Sequence, residues 1–311
     1  MVGGALVDMY AKCGALSKAH DIFDELPIQN LVSWTTLIMG YVQHGDSELA
    51  LNCFEQMRCS GFCPDASTFV CILKACGNIG AIEKGQELHG DISRERLLKE
   101  NILVGTALLE MYSKCGALGK AQGVFDELPI QDVVTWTVLL AGYAQHGKHD
   151  IVVEMFNKMI SQQIQPNLVT FTVVLNACRH AGLIEKGEMY FETMSTCYGI
   201  LPTLEHHACM VDLFGRAGHF DKALAVIEKM PTSDYFPVWT ALLGACQRCG
   251  NVSLGKLAFE HAIELDEKDV APYVSMRNIY VSASMQADAD KVELLRIRNE
   301  AWMERECFSV E

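Results

Sequence analysis

Apolar residues recur at three- and four-residue spacing along nearly the whole chain, and short polar turns interrupt them. The stretch 31–42 is largely apolar, the turn QHGDSE follows at 43–48, and apolar residues resume through Met57. This spacing is the period of an amphipathic helix. Within the turn, Gly45 suits the end of a first helix and Asp46 suits the N-cap of a second. The pattern therefore predicts two short antiparallel helices joined by a tight turn.

The same pattern returns along the chain at fixed intervals. Residues 31–132 and 133–234 carry the same landmarks at one constant offset, for example Trp34 and Trp136, Tyr41 and Tyr143, Pro64 and Pro166. Each block divides into three repeats of unequal length, which in the first block are 31–65, 66–101 and 102–132. One helix pair cannot bury its apolar face alone, so successive pairs are expected to stack into a solenoid with a continuous core and a long groove.

Two kinds of helical repeat fit this spacing. A tetratricopeptide-type scaffold would place glycine where Ile38 and Leu140 stand, and its repeat length would be uniform. The chain instead resembles the pentatricopeptide repeat family, whose S, P and L motifs are similar in turn to VDMYAKCGALSKAHDIFDELPIQN, VSWTTLIMGYVQHGDSELALNCFEQMRCSGFCPD and STFVCILKACGNIGAIEKGQELHG. The resemblance is to the PLS subfamily with E-type C-terminal motifs and without a DYW deaminase domain.

The resemblance implies an all-α fold, a right-handed superhelical solenoid of helix-turn-helix repeats that is a TPR-like α–α superhelix. It divides the chain as follows: 1–30, a truncated S-type repeat; 31–65, P; 66–101, L; 102–132, S; 133–167, P; 168–203, L-type; 204–234, S-type; 236–269, an E1-like motif; 270–311, an E2-like motif with a degenerate tail that ends in ERECFSVE. No linker separates these repeats, so one extended body is expected.

Composition adds three expectations. Half of the residues are apolar, yet no uninterrupted apolar run is long enough to predict a transmembrane helix. The 13 cysteines, such as Cys76 and Cys178, fall at helix positions typical of reduced thiols rather than of a disulfide framework. The net charge of −14 opposes nucleic-acid binding unless the acidic groups lie on the second helices, as the segments 48–50 and 83–85 suggest.

Catalytic and metal-binding motifs are weak or absent in the sequence. A zinc deaminase needs H-x-E followed by P-C-x-x-C, and no H-x-E occurs. Cys246 and Cys249 form a C-x-x-C without a second ligand pair, so ordinary packing of small side chains is the favoured interpretation. His206, His207 and Cys209 are a second candidate, for which the polar start of a helix is favoured. We expect no catalysis, no metal and no cofactor.

The resemblance also implies which residues meet RNA. In this family the fifth and last residues of a motif read one base, and we call them the reading pair; the second residue sandwiches the base. The reading pairs are Thr35 with Asp65, Thr106 with Asp132, Thr137 with Asn167, Thr172 with Thr203, Gly4 with Asn30, Val70 with Asn101, and Ala208 with Asp234. The sandwiching residues are Val32, Leu103, Val134 and Val169. Helix capping for the polar residues, and packing at the helix seam for the apolar ones, are the alternatives.

The chemistry of three reading pairs predicts a base. Aspartate only accepts hydrogen bonds and suits the N–H donors of guanine, whereas asparagine also donates and suits adenine. Thr35 with Asp65 and Thr106 with Asp132 therefore favour guanine, and Thr137 with Asn167 favours adenine. Since motif order in this family runs parallel to RNA from 5′ to 3′, the predicted core is G-n-G-A.

The sequence thus predicts a non-enzymatic, sequence-specific binder of single-stranded organellar RNA that selects sites for C-to-U editing. Its partners would be organellar editing factors, contacting the L-type repeats, and a DYW-type deaminase supplied in trans; no membrane or small-molecule substrate is expected. A mitochondrial or chloroplast location is implied, although residues 1–30 show no transit peptide. Two alternatives stay open: a TPR-like protein–protein scaffold, and a fragment of a longer DYW-type deaminase protein.

Overall fold

The computed structural model describes residues 2–299, and within them the chain forms helices and no strands. The predicted all-α class is confirmed. The chain divides into two compact units, Met1–Ile164 and Gln165–Glu311. This division falls inside the predicted repeat 133–167, in the non-helical segment that precedes Asn167. The tail segment ERECFSVE lies outside the described residues.

Eleven helices belong to the first compact unit and eight to the second, counted over the described residues. The first contains α1 (Val2–Lys12), α2 (Leu16–Asp24), α3 (Leu31–Gln43), α4 (Ser47–Cys59), α5 (Ala66–Ile79), α6 (Ile82–Arg94), α7 (Leu97–Glu100), α8 (Ile102–Lys114), α9 (Leu118–Glu127), α10 (Val133–Gln145) and α11 (His149–Ser161). The second contains α12 (Leu168–Ala181), α13 (Ile184–Thr196), α14 (Leu204–Arg216), α15 (Phe220–Glu228), α16 (Phe236–Cys249), α17 (Val252–Leu265), α18 (Val270–Ser282) and α19 (Gln286–Arg298). Apart from the short α7, the helices follow one another as pairs along the chain.

Each compact unit is a row of helix pairs. The first helices of successive repeats pack side by side, as α1, α3, α5, α8 and α10 in one compact unit and as α12, α14, α16 and α18 in the other. Each second helix packs against the first helix of its own repeat, and most also touch the first helix of the next repeat. This layering is the solenoid arrangement, in which each repeat contacts only its neighbours.

Aromatic contacts between successive repeats show why the apolar spacing specifies this packing. Trp34 on α3 meets Phe23 of the preceding second helix edge-to-face, with ring centroids 4.4 Å apart. Trp136 on α10 repeats the contact with Phe125 at 4.7 Å. All four side chains are buried. Such pairs contribute about 0.5–1.5 kcal/mol beyond their area burial, so the recurring tryptophan helps to fix each repeat on the one before it.

The turn between α3 and α4 contains the predicted helix-ending glycine and the predicted N-cap residue. Gly45 has φ +90°, the left-handed conformation that glycine adopts without strain. Asp46 occupies the N-cap position of α4, as predicted, but its side chain makes no capping hydrogen bond. The reason is its ψ of 58°, since capping side chains belong to extended residues such as Asp65, whose ψ is 177°.

Acidic residues are segregated between the two helix types, as predicted. Among the described residues, every second helix carries two or three of them, whereas the first helices carry only Asp8, Glu110, Glu205 and Asp212. Glu48 and Glu83, in the segments singled out from the sequence, are exposed on α4 and α6. The surface of the first helices is therefore far less negative than the net charge suggests. No helix within residues 2–299 combines the length and hydropathy needed to cross a lipid bilayer.

Candidate nucleic-acid interface

The second residue of four repeats is an aliphatic side chain left in solvent at the start of a first helix. Val32, Leu103, Val134 and Val169 are exposed by 74%, 66%, 50% and 59%. Apolar side chains of this size are usually buried. Because these four stay in solvent, packing at the helix seam does not explain them. Each of them places an exposed apolar side chain at the second position of its helix, α3, α8, α10 or α12.

The last residue of five repeats caps the following first helix. Asp132 is extended, and its Oδ1 accepts hydrogen bonds from the backbone N–H groups of Val134 at 3.1 Å and Thr135 at 2.9 Å. Equivalent side-chain caps are made by Asn30, Asp65, Asn101 and Asn167. The capping alternative is thus correct for these residues. It occupies one oxygen only, and Oδ2 of Asp132 has no partner among the described residues.

The remaining two last residues have different surroundings. Asp234 is exposed and precedes Tyr235, which holds the N-cap position of α16. The backbone N–H of Asp234 donates to Thr232 Oγ1 at 3.0 Å. Thr203 occupies the N-cap of α14, and both its backbone N and its Oγ1 lie close to His206 Nδ1. Whether the last residue of a repeat caps the next helix therefore depends on both its position and its residue type.

A third residue joins the reading pair of repeat 31–65. Thr68, the third residue of the next repeat, donates its hydroxyl hydrogen to Asp65 Oδ1 at 2.8 Å. The Thr35 hydroxyl lies 2.8 Å from Thr68 Oγ1 and donates to it, because the Thr68 hydrogen is already used. Thr35 is only 8% exposed, so it does not line an open groove as expected. Since its hydrogen is used for Thr68, the Thr35 hydroxyl can offer a ligand only an oxygen lone pair.

His206 plays the same connecting part in repeat 168–203. Its Nδ1 accepts from the backbone N–H of Thr203 at 3.1 Å, which places the ring proton on Nε2. Nε2 lies 3.1 Å from Thr172 Oγ1 and 3.2 Å from the Leu168 carbonyl oxygen. Burial lowers the pKa of His206, which favours the neutral ring that this arrangement needs. His206 therefore links Thr172 to Thr203 instead of binding a metal.

The other reading threonines donate to backbone carbonyls. Thr106 Oγ1 lies 2.8 Å from the Ile102 carbonyl oxygen, and Thr137 Oγ1 lies 2.6 Å from that of Val133. The Thr106 hydrogen is used inside the helix, so the Thr106 hydroxyl can act toward a ligand as an acceptor. Thr137 is only 8% exposed, whereas Thr106 is half-buried. Thr137 lies in the first compact unit and Asn167 in the second.

Two reading pairs without a hydroxyl line cavities instead. Val70 and Asn101 border a cavity of about 260 Å³ between α3, α5 and α8, together with Leu103. Gly4 and Asn30 border another of about 790 Å³, together with Val32. Apart from the chain neighbours and helix backbone of Gly4 itself, no atom of the described residues lies within 4 Å of the point where a Cβ of Gly4 would stand. Ala208, in the last such pair, is half-buried on α14. These small or apolar fifth residues leave open space and carry no polar group that could hydrogen-bond to a base.

A cluster of arginines in the second compact unit was not predicted from the sequence. Buried Asp212 on α14 accepts from Arg216 at 2.8 Å, from Arg179 on α12 at 3.1 Å and from Arg248 on α16 at 3.5 Å. One carboxylate thus orients three guanidinium groups from three successive first helices, and the cluster stays positive. Arg216 and Arg248 are exposed. A signal was available, since these arginines recur near the ends of successive first helices.

The weak metal candidates do not form a site. Burial raises the pKa of Cys246 to about 12, whereas Cys249 is exposed, so packing explains Cys246 but not Cys249. His206, His207 and Cys209 do stand at the start of α14, but they are buried rather than a polar surface. Within residues 2–299, no group of His, Cys, Asp and Glu side chains is arranged to hold a metal ion.

Comparisons with known proteins agree on one family. A family model described as "PPR repeat family" matches residues 29–78 and 131–180, and one described as "PPR repeat" matches 4–30, 169–197 and 208–235. A pentatricopeptide repeat-containing protein of Arabidopsis thaliana, named as mitochondrial, is 38% identical over 98% of this chain and 49% of its own length. Another from the same plant is 42% identical over 91% of this chain and 34% of its own length.

A solved structure shares the fold. The crystal structure of the maize pentatricopeptide repeat protein PPR10 in complex with an 18-nucleotide psaJ RNA element matches with a TM-score of 0.74 and 17% identity. The match covers 96% of this chain and 45% of that one. The chain spans between 34% and 57% of the length of the curated relatives it matches.

Proposed function

We propose that this chain, which belongs to the pentatricopeptide repeat family, is a sequence-specific binder of single-stranded RNA that reads one base per repeat. The observation that carries the proposal is the recurrence of one local arrangement. At the start of α3, α8, α10 and α12, a capping Asp or Asn keeps one polar atom unused, and an exposed aliphatic residue follows two positions later. One base per repeat, read by two or three side chains, is a known logic of such arrays.

The hydrogen-bond directions support guanine at repeats 31–65 and 102–132. In each pair the threonine hydroxyl donates inside the protein, so it and the second carboxylate oxygen are both acceptors. Guanine offers adjacent N–H donors on its pairing edge, whereas adenine offers one donor and one acceptor. At repeat 133–167, Asn167 caps through Oδ1 and keeps an amide donor for adenine. The proposed core remains G-n-G-A.

The surface charge of the first helices supports an RNA ligand despite the net charge of −14. Acidic residues are concentrated on the second helices, and the three arginines around Asp212 offer cationic contacts for phosphates in the second compact unit. Arginine is well suited to phosphates because its planar guanidinium presents several donors in a fixed geometry. We expect affinity to fall as salt rises.

The biological role that we propose is site recognition for C-to-U editing of organellar transcripts. The PLS-type order of repeats and the E-like motifs at 236–311 are the sequence features that support it. The deaminase would be supplied in trans by a DYW-type protein, and editing factors would contact the L-type repeats. A mitochondrial location is favoured because several relatives are named as mitochondrial.

Selection from a random RNA pool tests the proposed binding directly. Purified protein should enrich single-stranded sequences that contain G-n-G-A at one defined salt concentration. Enrichment of no motif, together with stable capture of a protein partner, would favour the scaffold alternative. Incubation of the same protein with zinc and a cytidine-containing RNA should give no uridine, because the described residues hold no metal-binding group. Deamination would contradict the proposal that the deaminase acts in trans.

A further inference from the structure

The E1-like motif at 236–269 contains a threonine at the same place as the reading threonines. Thr240 is the fifth residue of α16, half-buried, and its Oγ1 lies 3.1 Å from the Pro237 carbonyl oxygen and 3.3 Å from that of Phe236. This is the back-bonded geometry of Thr106 on α8. The Thr240 hydroxyl hydrogen is used inside the helix, so its oxygen can serve a ligand as an acceptor.

The last residue of this motif is an aspartate that caps the next first helix. Asp269 is extended and holds the N-cap of α18, where its Oδ1 accepts from the backbone N–H of Ala271 at 2.7 Å. Asp132 makes the equivalent bond to the second residue of α10 at 3.1 Å. Oδ2 of Asp269 has no partner among the described residues. Asp269 therefore presents the same unused carboxylate oxygen as Asp132.

The surroundings of this pair fit the end of a nucleic-acid interface. The second residue, Pro237, is apolar and exposed at the start of α16. Helices α14, α16 and α18 pack side by side, so the row of first helices continues through the motif. Arg248 is exposed on α16 and belongs to the positive cluster around Asp212. The described part of α16 and α18 carries no acidic residue to repel a phosphate.

We infer that Thr240 and Asp269 form a further base-reading site, which takes guanine. This inference rests on the proposed function, because it uses the same reading logic. It extends recognition beyond the repeats into the E1-like motif, which would otherwise only recruit partners. Counting repeats 168–203 and 204–234 as two unspecified positions, the recognised sequence becomes G-n-G-A-n-n-G.

Two oligonucleotides that differ only in the last base test this inference. The wild-type protein should bind G-n-G-A-n-n-G more tightly than G-n-G-A-n-n-A by about fivefold to 150-fold, the range for one bidentate base contact. Asp269→Asn keeps the capping oxygen and supplies an amide donor, so it should shift the preference toward the final A. Thr240→Val, which keeps the shape and removes the acceptor, should reduce the discrimination.

Asp266→Asn is the matched control. Asp266 lies in the same loop, carries the same charge and accepts from the backbone N–H of Lys268 at 3.0 Å, so asparagine preserves that bond. It should leave the G preference unchanged. Equal shifts from Asp266→Asn and Asp269→Asn would overturn the inference in favour of a general charge effect. Discrimination at the G-n-G-A positions without any at the final base would also overturn it and leave the proposed function standing. Loss of discrimination everywhere would instead reject the proposed function.

Discussion

The first and second helices of the repeats expose different surfaces. Several first helices begin with a capping Asp or Asn and an exposed aliphatic residue, such as Asp132 and Val134, and the described first helices carry four acidic residues in all. Every second helix carries two or three acidic residues. The net charge of −14 is therefore a poor measure of the local charge on either class of helix. Since exposed charges are screened beyond about 8–10 Å, local composition decides what can bind.

Negative charge placed on the first helices should have the largest effect on RNA binding. In Leu103→Glu with Val134→Glu, two exposed apolar contact points become anionic. RNA affinity should fall by about 1–2 kcal/mol for each aliphatic contact with a base that is lost, the order expected for burial of much of a valine or leucine side chain. Repulsion between the new carboxylates and the RNA phosphates should add to this loss. Fluorescence anisotropy with a G-n-G-A oligonucleotide measures the change.

A second-helix variant supplies the control for that experiment. Leu49 is 47% exposed on α4, so Leu49→Glu adds a negative charge to the opposite class of helix. RNA affinity should stay close to that of the wild type. An equal decrease per added charge in both variants would mean that the two helix classes do not differ as binding surfaces.

A smaller effect concerns ion pairs on the two helix types. Asp212 is buried among three arginines of the first helices, and Asp212→Asn should cost about 1–3 kcal/mol of unfolding free energy because charged hydrogen bonds are removed. Glu188 pairs with Lys222 between second helices at 2.7 Å and is solvent-exposed enough to be screened. Glu188→Gln should cost about 0–1 kcal/mol. Urea denaturation followed by circular dichroism gives the unfolding free energies of both variants. Equal losses would contradict the expected difference between the buried and the exposed ion pair.

Much of this organisation could be predicted from the sequence. Trp34 and Trp136 indicate the repeats because their spacing is set by packing on a preceding second helix. The capping role of Asp132 follows from residue type and position. By contrast, the near burial of Thr35 depends on Thr68 of the next repeat, and spacing alone does not give a distance between neighbouring helices.

Local backbone angles and long side chains account for the remaining differences. The turn pattern predicts that Asp46 caps α4, but at a ψ of 58° its side chain makes no bond to the helix end. The arginines around Asp212 come from three separate repeats, so their convergence depends on the lateral packing of α12, α14 and α16. Sequence periodicity indicates neighbouring helices without giving the reach of an arginine side chain.

Acid pH should weaken the fold through one histidine on each helix type. Burial lowers the pKa of both His206 on α14 and His89 on α6. The unfolded chain binds protons below about pH 6.5, whereas these buried rings resist them, so their stabilisation is present above that pH and lost as the pH falls. Each histidine should remove at most about 1.4 kcal/mol per pH unit until its folded pKa is reached.

Single substitutions separate the two histidines. His206→Gln should reduce the acid sensitivity of the unfolding free energy measured between about pH 7 and pH 5, the range in which histidine titrates, and His89→Gln should reduce it independently. A wild-type unfolding free energy that does not fall over this pH range would contradict the assignment.

In the proposed recognition, the unused atom of a capping last residue chooses the base, and Asp132→Asn tests this most directly. Asparagine keeps the oxygen that accepts from Val134 and Thr135, so the α10 cap and the fold should survive. Affinities of the wild type and the variant for matched G-n-G-A and G-n-A-A oligonucleotides should be measured at one salt concentration. We predict that the wild type prefers the first and that the variant shifts toward the second by about 1–3 kcal/mol. An equal decrease in affinity for both oligonucleotides would contradict this and reduce Asp132 to a helix cap.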